Sequence, residues 1–215
     1  MKEKILKVVK NKKKWILLLI CIIMFLFILE NVLDNEIDKF DKSVYSIISL
    51  LKTDVVTDIF KVITSFGSAI FLIGLTLLSF IVIKNKKISI SIAINLATIG
   101  LLNQVLKNIV QRPRPEGFRI IDETGYSFPS GHSMASTAFY GLIIYFIAKN
   151  VKNKKIRDIS YIALIILIPL IGISRIYLGV HYASDVIAGF IVSIGYLIVY
   201  ITIVLKLIEI KNEKK

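Results

Sequence analysis

Trp15-Ile-Leu-Leu-Leu-Ile-Cys-Ile-Ile-Met-Phe-Leu-Phe-Ile-Leu29 carries no charged residue, and seven lysines precede it within the first 14 positions. The run ends in Glu30-Asn31 without a small-x-small cleavage site, so it reads as an uncleaved membrane helix rather than a removed leader. Outward from it, further apolar runs cover 59–83, 88–110, 129–148, 156–172 and 183–205. The expected fold is therefore all-α: a polytopic membrane protein with six transmembrane helices in a bundle. Six spans of about 20 residues take roughly 120 positions, which leaves no room for a second domain beside one membrane-embedded unit over 1–215.

Composition agrees. A chain that is 55% hydrophobic with one cysteine is neither disordered, nor an ordinary soluble domain, nor a disulfide scaffold. Cys21 sits alone inside the first apolar run, which excludes an intrachain disulfide or a cysteine-rich metal site. The net charge of +13 does not point to nucleic acid, because the basic residues punctuate apolar runs instead of forming an aqueous patch.

Those basic residues alternate between connections. The amino-terminal tail (1–14), 84–87, 149–157 and the carboxy-terminal tail hold 19 of the 28 Lys and Arg and, counting the adjoining Asp158, only four acidic residues. Positively charged loops near spans stay in the cytoplasm, so both termini are expected there. The connection 30–58 belongs to the outer side, with seven acids against three lysines. Phe40, Val44, Ile47, Ile48 and Leu51 recur through it at near-helical spacing, which predicts an amphipathic helix that packs on the bundle or guides lipid.

The outer ends of the later spans collect the chemistry. Lys107 lies near the end of the third span, where a charge must snorkel or meet a partner. Seven positions on, Arg114 stands in Arg112-Pro-Arg-Pro115, an extended strip from which it can converge with Lys107 on one anion. Pro129-Ser-Gly-His132 opens the fourth span: Ser130 can donate a hydroxyl, Gly131 lets an anion approach the helix N-terminus, and His132 stands beside it. Ser174-Arg175 precedes Gly179, whose turn returns Arg175 to the same place, and His181 is followed four positions later by Asp185. On a helix, Asp185 accepts one ring N–H of His181, fixes its tautomer and leaves the other nitrogen free to attack. The chain has only two histidines, and the topology puts both at one membrane face among basic side chains rather than carboxylates or thiolates. That disfavours a metal site and points to phosphoryl transfer from a phosphate ester through histidine.

These residues resemble the three-part signature of the type 2 phosphatidic acid phosphatase superfamily of membrane lipid phosphatases. Lys107 with Arg114-Pro115, Pro129-Ser130-Gly131-His132, and Ser174-Arg175 with His181 and Asp185 match it at every defined position. The resemblance implies that His181 is the nucleophile oriented by Asp185, and that His132 is the general acid and then base. It further implies that Lys107, Arg114, Ser130, Gly131 and Arg175 bind the phosphate, without metal or other cofactor. The implied partners are the bilayer and a lipid phosphate, and the alternation of basic connections puts the expected site on the extracytoplasmic side of the cell membrane. Undecaprenyl diphosphate is the favoured substrate, followed by phosphatidylglycerophosphate and phosphatidate. A lipid phosphotransferase is an alternative, and a catalytically inactive lipid-binding or transport protein is the rival of another class.

Overall fold

The computed structural model describes residues 12–206. Most of the basic tail expected over 1–14, and the carboxy-terminal tail from 207, lie outside the described residues. Among the described residues eight α-helices follow one another: α1 (Lys12–Leu33), α2 (Asp38–Ser49), α3 (Asp54–Ser65), α4 (Ala69–Val82), α5 (Lys86–Val110), α6 (Gly131–Asn150), α7 (Lys154–Tyr177) and α8 (Ala183–Val199). A π-helical turn, Tyr200–Val204, continues α8. No strand occurs among the described residues.

Starts and stops follow local chemistry. Thr53, Ser68, Asn85, Ser130 and Asn153 each cap a helix by accepting a backbone N–H in the first turn. Among the described residues four helices are long and apolar enough to cross a membrane: α1, α5, α7, and α8 with its π turn. The pair α3 and α4 makes a fifth if taken together across a bend of 47°. At 22 residues α1 is about 33 Å long, enough for the hydrocarbon layer, and only Cys21 and Val32 on it are buried. The chain is thus an all-helical, multi-span membrane protein.

Two expectations change. The apolar run 59–83 is not one continuous helix, because it breaks at Phe66-Gly67-Ser68, where Ser68 caps α4 and Tyr140 donates 2.7 Å to the freed carbonyl of Phe66. The run at 129–148 forms α6, yet α6 is not among the helices that qualify on apolarity, since its first turns carry His132, Ser133, Ser136 and Thr137. It lies inside, packed against α4, α5, α7 and α8. Tight contact there depends on small residues: a Cβ at Gly141 would sit 2.5 Å from Leu197 Cδ1.

The amphipathic helix foreseen in 30–58 is α2, but only part of the expected face packs on the bundle: Phe40 and Ile47 stay exposed, as does Leu51 beyond its end. Val44, Tyr45 and Ile48 lie against Ile176, Ala183 and Val186 of the α7 and α8 ends. The connection 111–130 has no regular structure and is tied across the same end of the bundle by Ser127 N to Arg112 O (2.8 Å), Ile120 N to Leu178 O (3.0 Å) and Ser130 N to Asp185 O (3.0 Å).

Candidate active site

Three chain segments meet beneath that connection: the end of α5, the start of α6 and the turn from α7 to α8. At the turn, Gly179 has φ +73°, and a Cβ there would lie 2.6 Å from the Phe118 carbonyl oxygen, so only glycine fits. The reversal lets the Arg175 carbonyl accept from Val180 N (3.2 Å) and His181 N (3.3 Å), which fixes His181 beside the end of α7.

His181 and Asp185 are not one turn apart on a single helix face. His181 belongs to the turn and Asp185 to the first turn of α8, but the two side chains still meet, with Nδ1 3.3 Å from Oδ2. Asp185 is fully buried, and each of its oxygens is occupied. Oδ2 accepts from Tyr182 N (2.9 Å) and from the Ser127 hydroxyl, and Oδ1 accepts from Arg112 Nη1 (2.7 Å). The carboxylate assigns the proton of His181 to Nδ1, leaving the Nε2 lone pair 3.1 Å from Arg114 Nη1. Burial pushes the His181 pKa down to about 4, although the Asp185 carboxylate pulls it up, so the ring is neutral near neutral pH.

The two arginines of Arg112-Pro-Arg114 do not share a ligand. Successive side chains two positions apart on a kinked strip go to different places. Arg114 donates Nε to Gly125 O (3.0 Å), Nη1 to Val180 O (2.9 Å) and Nη2 to Thr124 O (2.9 Å), next to His181. Arg112 turns toward α2, where Nη2 donates to Asp41 Oδ2 (2.8 Å), and its guanidinium lies 4.1 Å from the Tyr182 ring. Asp41, 2% exposed, also accepts from Ser184 N (2.8 Å) and Ser184 Oγ (2.7 Å). A buried chain thus runs from Asp41 through Arg112 and Asp185 to His181.

A cavity of about 590 Å³ opens in front of His181. Lys107, Arg114, Glu123, His132 and His181 line its polar end, while Ile73, Leu77 and Leu96 of α4 and α5 line the rest. Ile73 and Leu77 are 51% and 61% exposed, so the cavity continues as an apolar groove to the outside of the helix bundle. Lys107 Nζ donates to Tyr126 O at 2.5 Å. Gly131 lines the cavity at the α6 N-terminus, held by Asn103, which donates to Pro129 O at 3.0 Å.

Two of the expected phosphate ligands sit differently. The Ser130 hydroxyl is fully buried and serves as the α6 cap, accepting from Ser133 N (3.4 Å) and Ser133 Oγ (3.0 Å), and it does not line the cavity. Arg175, 1% exposed, lies behind Glu123: Nη1 donates to Thr64 Oγ1 (2.8 Å), Nη2 pairs with Glu123 Oε1, and Nε has no hydrogen-bond partner among the described residues. Burial raises the pKa of Glu123, but Arg175 and Arg114 together hold it below the ordinary carboxylate value, so it is ionised. Sequence reasoning singled out neither Glu123 nor Ser127, Asp41, Arg112 and Ser184. The only sequence signal for Arg112 was its place in Arg-Pro-Arg-Pro, and Asp41 was one of seven acids in its connection. Among the described residues no three His, Cys, Asp or Glu side chains are grouped to hold a metal ion.

Comparison with known proteins places this geometry. The chain is 31% identical over 186 residues to phosphatidylglycerophosphatase B of Bacillus subtilis, covering 83% of this chain and 89% of that one. It is 28% identical over 187 residues to undecaprenyl-diphosphatase of Sulfolobus acidocaldarius, covering 83% and 85%. Its fold matches the crystal structure of the transmembrane PAP2 type phosphatidylglycerolphosphate phosphatase from Bacillus subtilis with a TM-score of 0.77 at 29% identity, over 92% of this chain and 96% of that chain. Residues 88–209 match the PAP2 superfamily, and they include all three clusters that meet in the cavity. The chain belongs to the PAP2 superfamily of lipid phosphate phosphatases.

Proposed function

We propose that the chain removes a terminal phosphate from a membrane lipid through a phosphohistidine on His181. The observation that carries this reading is the His181 ring itself. It is buried and neutral, held at Nδ1 by Asp185, and its Nε2 lone pair faces a cationic cavity that runs on into an apolar groove. A lipid phosphate reaching along that groove from the bilayer sets its phosphorus against Nε2.

In the first step Nε2 forms a bond to phosphorus and the bond from phosphorus to the lipid oxygen breaks. His132, at the same cavity, gives its proton to the leaving oxygen, and the Asp185 carboxylate stabilises the charge that develops on the His181 ring. His132 then takes a proton from water, whose oxygen attacks the phosphohistidine; the P–N bond breaks and inorganic phosphate leaves. Lys107, Arg114 and the free N–H groups at the Gly131 end of α6 stabilise the phosphoryl oxygens, Arg175 joins them only where Glu123 gives way, and Ser130 holds that helix start in place.

Six crossings, with both termini in the cytoplasm and the site on the extracytoplasmic side of the cell membrane, complete this reading, which rests on the alternation of basic connections. Among lipids we place phosphatidylglycerophosphate first, on the likeness to the Bacillus subtilis phosphatase, and undecaprenyl diphosphate, ranked first on the sequence, beside it. The test is phosphate release by purified protein in detergent with excess EDTA, across phosphatidylglycerophosphate, undecaprenyl diphosphate and phosphatidate, with His181→Ala as blank. Release above the blank supports a histidine-dependent, metal-free phosphatase and ranks the lipids. No release from any lipid in a folded sample shifts the assignment to a phosphotransferase or a binding protein.

A further inference from the structure

Glu123 is the one carboxylate at the polar end of a cavity otherwise lined there by cations and imidazoles. Its Oε1 accepts from Arg175 Nη2 and its Oε2 lies 3.6 Å from Arg114 Nη2, so it spans the two buried guanidiniums that phosphate oxygens would use. The arginine side chains are 1% and 4% exposed, the glutamate 29%. The acid is therefore the movable member of the group. Its backbone is not: Thr124 O and Gly125 O, directly following, both accept from Arg114. Departure of Glu123 is a side-chain rotation, with no movement of the connection. Arg175 Nε, buried and without a hydrogen-bond partner among the described residues, marks a donor that the carboxylate leaves unused.

Resting on the phosphatase reading above, we propose that Glu123 acts as a charge filter in the phosphate cradle, yielding to a terminal phosphate and resisting a phosphodiester headgroup. The physical basis is competition between anions. A phosphodiester carries one negative charge, as the carboxylate does, so exchanging one for the other gains no charge attraction and forfeits a preformed, intramolecular pair. A terminal phosphate carries close to two charges at neutral pH, since its second ionisation lies near pH 6. It gains one additional unit of attraction from Lys107, Arg114 and Arg175 on displacing the carboxylate. Arg112 takes no part, because Asp41 and Asp185 already neutralise it. The need for such a filter follows from where the cavity opens: its groove faces a bilayer in which phosphodiester lipids far outnumber any phosphate monoester. A cradle of bare cations there would hold bulk lipid. Specificity of this kind comes from disfavouring the abundant competitor as well as from attracting the substrate. The same carboxylate also competes with product phosphate and so hastens its release.

The test uses the full chain in mixed micelles with phosphatidate, whose lipid product is uncharged, as substrate and phosphatidylglycerol as the monoanionic diester competitor. Wild type should resist the competitor. Glu123→Gln should be inhibited competitively by phosphatidylglycerol, with an inhibition constant at least about tenfold lower than wild type, and should bind inorganic orthophosphate more tightly in equilibrium dialysis, the scale expected for removing a desolvated charge. Glu123→Asp, with its carboxylate withdrawn by one methylene, should shift both in the same direction by less, and it serves alone if the glutamine variant does not fold. Equal inhibition of wild type and variants by phosphatidylglycerol, or weaker orthophosphate binding in the variants, overturns the filter. Failure of the phosphatase reading looks different: wild type then releases no phosphate above its His181→Ala blank, while the orthophosphate comparison still reports on Glu123.

Discussion

Replacing Arg112 by Gln tests whether the Asp185 carboxylate is held from behind. The Arg112 side chain is 9% exposed and bridges Asp41 Oδ2 at 2.8 Å and Asp185 Oδ1 at 2.7 Å, both carboxylates being at most 1% exposed. Removing the cation strands two buried negative charges. Breaking one buried ion pair by truncating a partner costs about 3–5 kcal/mol. Remaining donors soften the loss here, since Ser184 N and Oγ stay on Asp41 while Ser127 and Tyr182 N stay on Asp185. The lower end, about 3 kcal/mol, is therefore the expected destabilisation, which corresponds to a fall in Tm on the order of 10 °C for a chain of this size. With Oδ1 of Asp185 released, its hold on His181 loosens, so kcat should drop on the order of tenfold with KM changed much less. Thermal unfolding followed by size exclusion in detergent, together with phosphate-release kinetics, measures both. Asp41→Asn should give a smaller loss of each, and the double variant should lose at least about 1 kcal/mol less than the sum of the singles, because the pair acts as a unit. A Tm within 2 °C of wild type with unchanged kcat in Arg112→Gln would refute the reasoning.

Further tests address neighbouring features. Asp185→Asn should keep the fold but reduce kcat less than His181→Ala, which should abolish turnover; equal rates in wild type and either variant would remove His181 and Asp185 from the chemistry. In the folded protein the His181 pKa of about 4 lies below the unfolded value of about 6.5, so the unfolded state binds the additional proton between them. The stability that His181 contributes is complete above about pH 6.5 and is lost as the pH falls toward 4, which Tm across that range will show; His181→Gln should flatten this part of the curve. The pH profile of kcat should be bell-shaped, since the substrate complex requires a neutral His181 together with a His132 protonated beside the bound phosphate dianion. Gly67→Ala should place a Cβ 2.6 Å from Ile171 Cγ2 and 3.2 Å from His132 Cδ2, forcing a shift that costs about 1–3 kcal/mol and lowers kcat by moving His132. An unchanged rate and Tm would show that α3 and α4 adjust freely at their bend.

Much of the site was legible because its chemistry is local. The turn at Gly179 and the capped start of α6 at Ser130 depend on fewer than six residues of chain, and close spacing kept His181 beside Asp185 although His181 lies in the turn and not on the helix; the space that excludes a Cβ at 179 is set by the distant Phe118 carbonyl. The role of Ser130 was less so. A serine before a helix can donate to a ligand or cap the helix, and only burial against Ser133 separates the two. The break at Gly67 was invisible in an apolar run, since hydropathy does not report that Ile171 and His132 lie where a side chain at 67 would go.

The alternation of apolar runs and lysines identified a multi-span helical membrane protein, because hydrocarbon admits a backbone only when its own hydrogen bonds close within each segment. The spacing of Lys107, Arg114, His132, Arg175, His181 and Asp185 identified phosphate chemistry, because few residue types bind and attack that group. Tertiary structure decided which carboxylate neutralises which arginine. Asp41 reaches Arg112 across 71 positions and Ser184 across 143, and Glu123 reaches Arg175 across 52. Charges in a low-dielectric interior must be paired, but the identity of the partner depends on where helices far apart in the chain come to lie.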